Sequence, residues 1–261
     1  SSFKFEGKTW GLTGYVNYPL MRGRQHNAVL RFAVSSISAK TLRSDDTQSE
    51  DKMRVYDATY NFDLSESYLG SAKNVGSVKL SSGKLFRGEV GRNSRLQADQ
   101  TFTKLNYSFN RSQRLSTEPT TVLNFKLNGQ FTQDKLVGVQ QLGIGGPSSV
   151  RGYPTGTFLA DKGAYAAADL YWYASDDFNP FVFVDYASAS VVEGESFTNN
   201  NVHLGSYGIG ANWTFGGAIF DFTLAKAIGS DGDFAELISN GGKDAVGRKS
   251  TQLFISMKYN F

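Results

Sequence analysis

Gln252-Leu253-Phe254-Ile255-Ser256-Met257-Lys258-Tyr259-Asn260-Phe261 are the last ten residues of the sequence. Leu253, Ile255, Met257, Tyr259 and Phe261 alternate with Gln252, Ser256, Lys258 and Asn260. A period of two puts the first set on one face of a β-strand and the second on the other. The pattern recurs upstream. Tyr207, Ile209, Ala211, Trp213 and Phe215 alternate with Ser206, Gly208, Gly210, Asn212 and Thr214. Leu123, Phe125, Leu127 and Phe131 oppose Asn124, Lys126, Asn128 and Gln130, and Leu105, Tyr107 and Phe109 oppose Lys104, Asn106, Ser108 and Asn110. Tyr56, Ala58, Tyr60, Phe62 and Leu64 oppose Asp57, Thr59, Asn61 and Asp63. A soluble sandwich also alternates, so one strand decides nothing. An inward aromatic face on so many strands would overfill a small lumen. Turned outward, that face meets lipid and leaves a hydrated interior. The fold expected is an all-β, transmembrane antiparallel β-barrel.

Composition agrees. The 261 residues have a mean hydropathy of −0.33 and no apolar run of transmembrane-helix length. A barrel escapes that test, because only alternate residues face lipid. The 20 Phe and 13 Tyr suit strands and membrane-interface girdles. Absence of cysteine excludes disulfide scaffolds and thiol chemistry. A net charge of +3 without a basic run argues against nucleic acid.

Strands are expected near 9–19, 27–38, 53–65, 75–85, 100–112, 119–132, 163–174, 179–190, 203–215, 217–227 and 250–261, about eleven in all. Short connections, such as Pro19–His26, Gln113–Glu118, Ser175–Phe178 and Gly216–Gly217, alternate with long ones. The long ones are Ala39–Lys52, Phe86–Asp99, Gln133–Lys162, Glu193–Val202 and Ile228–Lys249. Short periplasmic turns and long extracellular loops mark outer-membrane barrels. The first and last strands would point the same way, which needs an odd count, whereas bacterial single-chain barrels normally have an even one. The expectation is therefore one domain, 1–261, forming the C-terminal part of a larger barrel. Residues 1–8 are an alternative source of a twelfth strand.

Val150-Arg151-Gly152-Tyr153 lies in the longest loop. Beyond it come Asp169 and then Phe181-Val182-Phe183-Val184-Asp185-Tyr186-Ala187. If Val182, Val184 and Tyr186 face lipid, Asp185 faces the lumen. A lone buried Arg151 is costly and a paired one is not, so a loop folded into the lumen would bring Arg151 to Asp185. Gly152 would permit close approach to the wall, Tyr153 would contact Phe183, and Asp169 is a weaker candidate for the same cluster. On spacing alone the simpler reading is favoured, with Arg151 a solvated cation and Asp185 lining a wet wall.

These residues resemble the Omp85 superfamily, and within it the two-partner secretion transporters (TpsB proteins). The family's sixth extracellular loop carries VRG(F/Y), matched at Val150, Arg151, Gly152 and Tyr153, after a glycine-rich stretch like Gly145-Gly146-Pro147-Ser148-Ser149. A later strand carries F-x-D-x-G, matched by Phe183, Val184 and Asp185, with Ala187 where the family has glycine. Tyr18-Pro19-Leu20 and the terminal Phe261 also resemble these transporters. The resemblance reverses the preference above and implies an Arg151–Asp185 lock. It implies a sixteen-stranded barrel of which this chain holds about eleven or twelve strands, with POTRA domains and first strands outside it. Tyr259 and Phe261 become an assembly signal read by the barrel assembly machinery. The function implied is export of a TpsA-type secreted protein through the outer membrane of a Gram-negative bacterium, in contact with outer-membrane lipid and without cofactor or catalysis. The assembly (insertase) branch shares the loop motif. A diffusion porin would share the polar lumen but leaves VRGY and FVD unexplained.

Other features carry no chemistry. His26 and His203 lack ligand spacing, so no metal is expected. Asp45-Asp46 and Glu50-Asp51 read as a solvated extracellular loop. Ser148 and Ser149 have no local histidine partner for nucleophilic catalysis.

Overall fold

Period-two residues form strands whose two faces meet different media, and consecutive strands pair as hairpins. In the computed structural model, residues 5–43, 46–67, 70–86, 92–95, 97–192, 201–231 and 251–259 are described. The strands are β1 (Phe5–Arg22), β2 (His26–Arg43), β3 (Asp46–Glu66), β4 (Ala72–Phe86), β5 (Thr101–Thr117) and β6 (Thr120–Thr132). They continue as β7 (Leu142–Ile144), β8 (Phe158–Ala160), β9 (Lys162–Tyr173), β10 (Phe178–Ser190), β11 (Asn201–Phe215), β12 (Ala218–Asp231) and β13 (Thr251–Tyr259). Eleven of them make one sheet in sequence order, antiparallel throughout, while β7 and β8 pair only with each other.

Register carries the alternation across the whole wall. Leu123, Leu170, Val182, Ile209, Leu224 and Leu253 lie side by side on β6, β9, β10, β11, β12 and β13. One residue over, Asn124, Asp169, Phe183, Gly208, Ala225 and Gln252 form the opposite row. Val184 is 50% exposed and Ile209 58%, whereas Asp185 is 1% exposed, so the apolar row is the outer face. A slip of one residue anywhere would exchange the faces, so the lipid-facing pattern fixes the register.

The turns at one end are tight. Residues 216–217 join β11 to β12, and Gly216 (φ 58°) and Gly217 (φ 82°) supply the left-handed backbone of a two-residue hairpin. At the other end the strands run further than expected. β2 reaches Arg43 and β3 begins at Asp46, so the supposed loop 39–52 is mostly hairpin. At 21 residues, β3 far exceeds the roughly 9–11 that a tilted strand needs to cross the membrane. The acidic stretch is corrected accordingly. Glu50 and Asp51 are buried strand residues, with Glu50 Oε1 3.4 Å from Lys40 Nζ and 3.3 Å from Lys52 Nζ. Asp46 is the first residue of β3, and Asp45 lies outside the described residues. Residues 5–8 extend β1 and do not form a twelfth strand.

The long connection between β6 and β9 turns inward and packs on two stretches of wall. Leu136 and Val137 are buried against Met53, Val55, Leu85 and Phe102 of β3–β5. Further along, Ile144, Val150 and Tyr153 are buried against Ala187, Leu204 and Ala227 of β10–β12. The loop therefore reaches from one part of the inner face to another.

Candidate functional site

Asp169 on β9, Asp185 on β10 and Ser206 on β11 point inward from three neighbouring strands. Asp185 and Ser206 are direct register partners, and Asp169 stands opposite Phe183. Into this patch the inward loop delivers Arg151. Its backbone N–H donates to Asp185 Oδ2 at 2.9 Å. Its Nε donates to both oxygens of Asp185, at 3.2 and 3.1 Å, and Nη2 donates to Oδ1 at 2.6 Å. Nη2 also donates to Asp169 Oδ1. The Ser206 hydroxyl donates to Asp185 Oδ2 at 2.8 Å, and Lys126 Nζ stands 3.5 Å from Asp169 Oδ2.

Beneath the guanidinium lies Phe183, with the arginine Cζ 3.5 Å from the ring centroid. This is a cation–π contact in a water-poor setting, where such contacts are strongest. Phe183 lies flat because its partner is Gly208, where an added Cβ would come within 2.6 Å of the ring. Gly210 clears the same space for Phe181. The polar-face glycines of β11 thus have a packing role. Burial alone would lower the pKa of Arg151, but hydrogen bonds and charge from Asp185 and Asp169 outweigh it and raise the pKa. The loop cation stays charged, with two carboxylates sharing it.

Local turns shape the loop tip. Gly145 (φ 103°) and Gly146 (φ 93°) adopt left-handed backbone. The N–H of Gly145 donates to Ser149 Oγ at 2.7 Å and that of Gly146 to Tyr153 O at 2.8 Å. At Gly152 the backbone presses on the wall. A Cβ there would sit 2.6 Å from Ser206 Cβ and 2.7 Å from Ala227 N.

The geometry brings together Arg151, Asp185, Asp169 and Phe183. Asp169 is a full partner of Arg151, not a marginal one. Tyr153 is buried in the apolar cluster with Ala187 and Leu204, and Phe183 packs with Phe181 and Ala225. A turn closes Val150–Tyr153, with the Tyr153 N–H donating to Val150 O at 3.2 Å. Ser206 was not singled out in the sequence. Its signal was its position on the polar face of β11, readable only once the register with Asp185 is known. Tyr259 is exposed on the outer face of β13, opposite Ala218. Phe261 lies outside the described residues. Among the described residues, no group of three or more His, Cys, Asp or Glu is placed to hold a metal.

The family model of haemolysin secretion/activation proteins, ShlB/FhaC/HecB, matches residues 1–213. The chain belongs to this family. Two solved structures share its fold. CdiB from Acinetobacter baumannii superposes with a TM-score of 0.75 at 15% identity, covering 98% of this chain and 43% of that one. CdiB from Escherichia coli gives 0.73 at 15% identity, covering 97% and 45%. This chain thus spans under half the length of either. No curated protein matches the sequence. Family and fold together make the chain a β-barrel of the outer membrane of a Gram-negative bacterium.

Proposed function

We propose that this chain is the C-terminal barrel part of a transporter that passes an unfolded, TpsA-type partner protein from the periplasm to the cell surface. The observation that carries the reading is Arg151, held inside the barrel by Asp185 and Asp169. Such a bond fixes a loop within a conduit, so that the loop's position bears on what passes. The polar inner rows of β4–β6, including Ser77, Ser108 and Asn128, offer a hydrated wall with hydrogen-bonding capacity for an extended backbone. The cluster positions the loop and performs no bond chemistry. Recognition of the partner belongs to periplasmic POTRA domains outside this chain, and the barrel assembly machinery inserts the barrel among outer-membrane lipids.

Two measurements test this. In cells lacking the intact protein, the partner is expected to remain periplasmic, and a partner that still reaches the surface overturns the transport reading. With Arg151→Ala, surface delivery is expected to fall about tenfold, corresponding to about 1.4 kcal/mol of lost loop fixation. Outer-membrane abundance should be unchanged. Normal delivery at normal abundance would remove the lock from the mechanism.

A further inference from the structure

A second charged cluster lies above the lock, where the long connections converge. Asp161, between β8 and β9, is fully buried. Arg95, in the connection between β4 and β5, donates from Nη1 to both its oxygens, at 2.9 and 2.8 Å. Asp161 also accepts from the N–H of Leu136 at 3.1 Å, from Gln141 Nε2 at 3.1 Å, and from the N–H of Val192 just past β10 at 2.8 Å. Arg95 donates in turn to the carbonyls of Leu136 (3.3 Å) and Val192 (3.1 Å). One ion pair therefore joins three separate connections.

The residues just before Arg95 extend the tie. The Arg92 carbonyl accepts from Glu50 N at 2.9 Å, and the Ser94 N–H donates to Asp51 Oδ1 at 2.9 Å. Ser94 Oγ accepts from Gly138 N at 3.2 Å. Residues 92–95 thus bridge the projecting end of β3, the inward loop and the exit of β10. None of these bonds belongs to the strand ladders, so all can break while the barrel stays intact.

We propose that the Arg95–Asp161 pair is a latch on the extracellular mouth, holding the connections across the lumen until a passing chain displaces them. Its work differs from that of the Arg151 lock. The lock seats the loop tip on β9–β11, whereas the latch joins the loop's two ends to neighbouring connections. Asp161 is positioned to do this because a carboxylate accepts several donors at once and an arginine fork can donate to separate acceptors. Such a latch rests on the barrel being a conduit, as proposed above, and not on the identity of what passes.

The test is single-channel current through the intact protein in planar lipid bilayers. Arg95→Gln is expected to raise the open fraction about tenfold over wild type, since the buried carboxylate loses its ionic partner. Arg95→Lys should fall between, because an ammonium retains the charge without the fork. Heat-modifiable electrophoretic mobility checks that each barrel is folded, which separates a latch from a merely structural role. A variant lacking residues 138–159 reports whether the emptied barrel conducts. If that variant conducts and both Arg95 variants match wild type, the latch is overturned. If it passes no current, the conduit reading falls and the latch with it.

Discussion

Asp185→Ala is expected to unseat the inward loop, at a cost of about 3–5 kcal/mol. Four donor groups converge on this carboxylate: the backbone N–H, Nε and Nη2 of Arg151, and the Ser206 hydroxyl. Removing it leaves a guanidinium whose side chain is 9% exposed, with Asp169 as its remaining carboxylate partner in the cluster. Arginine cannot escape by losing its proton. The reverse change, Arg151→Ala, is milder, because each carboxylate keeps another donor. Asp185 would keep the Ser206 hydroxyl and Asp169 would keep Lys126. The sequence contains no cysteine, so a single Val150→Cys change makes a clean reporter. Val150 is fully buried in the seated loop. Maleimide labelling of the introduced thiol should be slow while Asp185 is present. In the Asp185→Ala background it should be faster by two orders of magnitude or more, about the ratio set by 3 kcal/mol. Equal labelling rates would mean that the loop is held by its apolar contacts alone.

How much of this was legible in the sequence depended on the medium each face meets. The apolar rows facing lipid are constrained residue by residue, so the period-two pattern located all eleven strands of the wall. It also fixed the inward direction of Asp185, because Val182, Val184 and Tyr186 had to face out. Above the membrane that constraint disappears. Lys40, Glu50 and Lys52 are charged residues within the β2–β3 hairpin, and the strand reading stopped where apolar alternation stopped. Opposite charges at register partners Lys40 and Glu50 were the available signal, since such cross-strand pairs support a hairpin. Arg95 and Asp161 were invisible for another reason. They lie in connections without periodicity, 66 residues apart, and no pattern pairs them before the fold does. Arg151 and Asp185 were found because the family resemblance named both. The burial of Tyr153 beside Ala187 and Leu204 was not legible, because a motif gives adjacency along the chain, whereas the turn around Val150–Tyr153 decides which part of the wall each side chain reaches.

Gly152→Val should have an effect of comparable size without touching any charge. The obstacle is backbone and near-backbone atoms. A Cβ on residue 152 would lie 2.6 Å from Ser206 Cβ, 2.7 Å from Ala227 N and 2.9 Å from Ala227 Cα. The wall at that point is strand backbone, with Ser206 of β11 paired to Ala227 of β12 beside a register shift between Gly205 and Ser206, so it yields less readily than a flexible side chain would. The loop must lift, and Arg151, the preceding residue, lifts with it. Hydrogen bonds to Asp185 at 2.6–3.2 Å do not survive a displacement of about 1 Å. Alanine at this position should already unseat the tip in part, and valine fully. Gly143→Ala is the matched control. Its added Cβ would meet Leu159 Cδ2 at 3.8 Å, an ordinary contact, so labelling of the Val150→Cys thiol should stay at the rate seen without it. Partner secretion should follow the labelling, lost with Gly152→Val and kept with Gly143→Ala. A Gly152→Val barrel whose reporter thiol remained protected would show that the wall gives way at β12, and the close approach would then be a packing detail with no part in holding the loop.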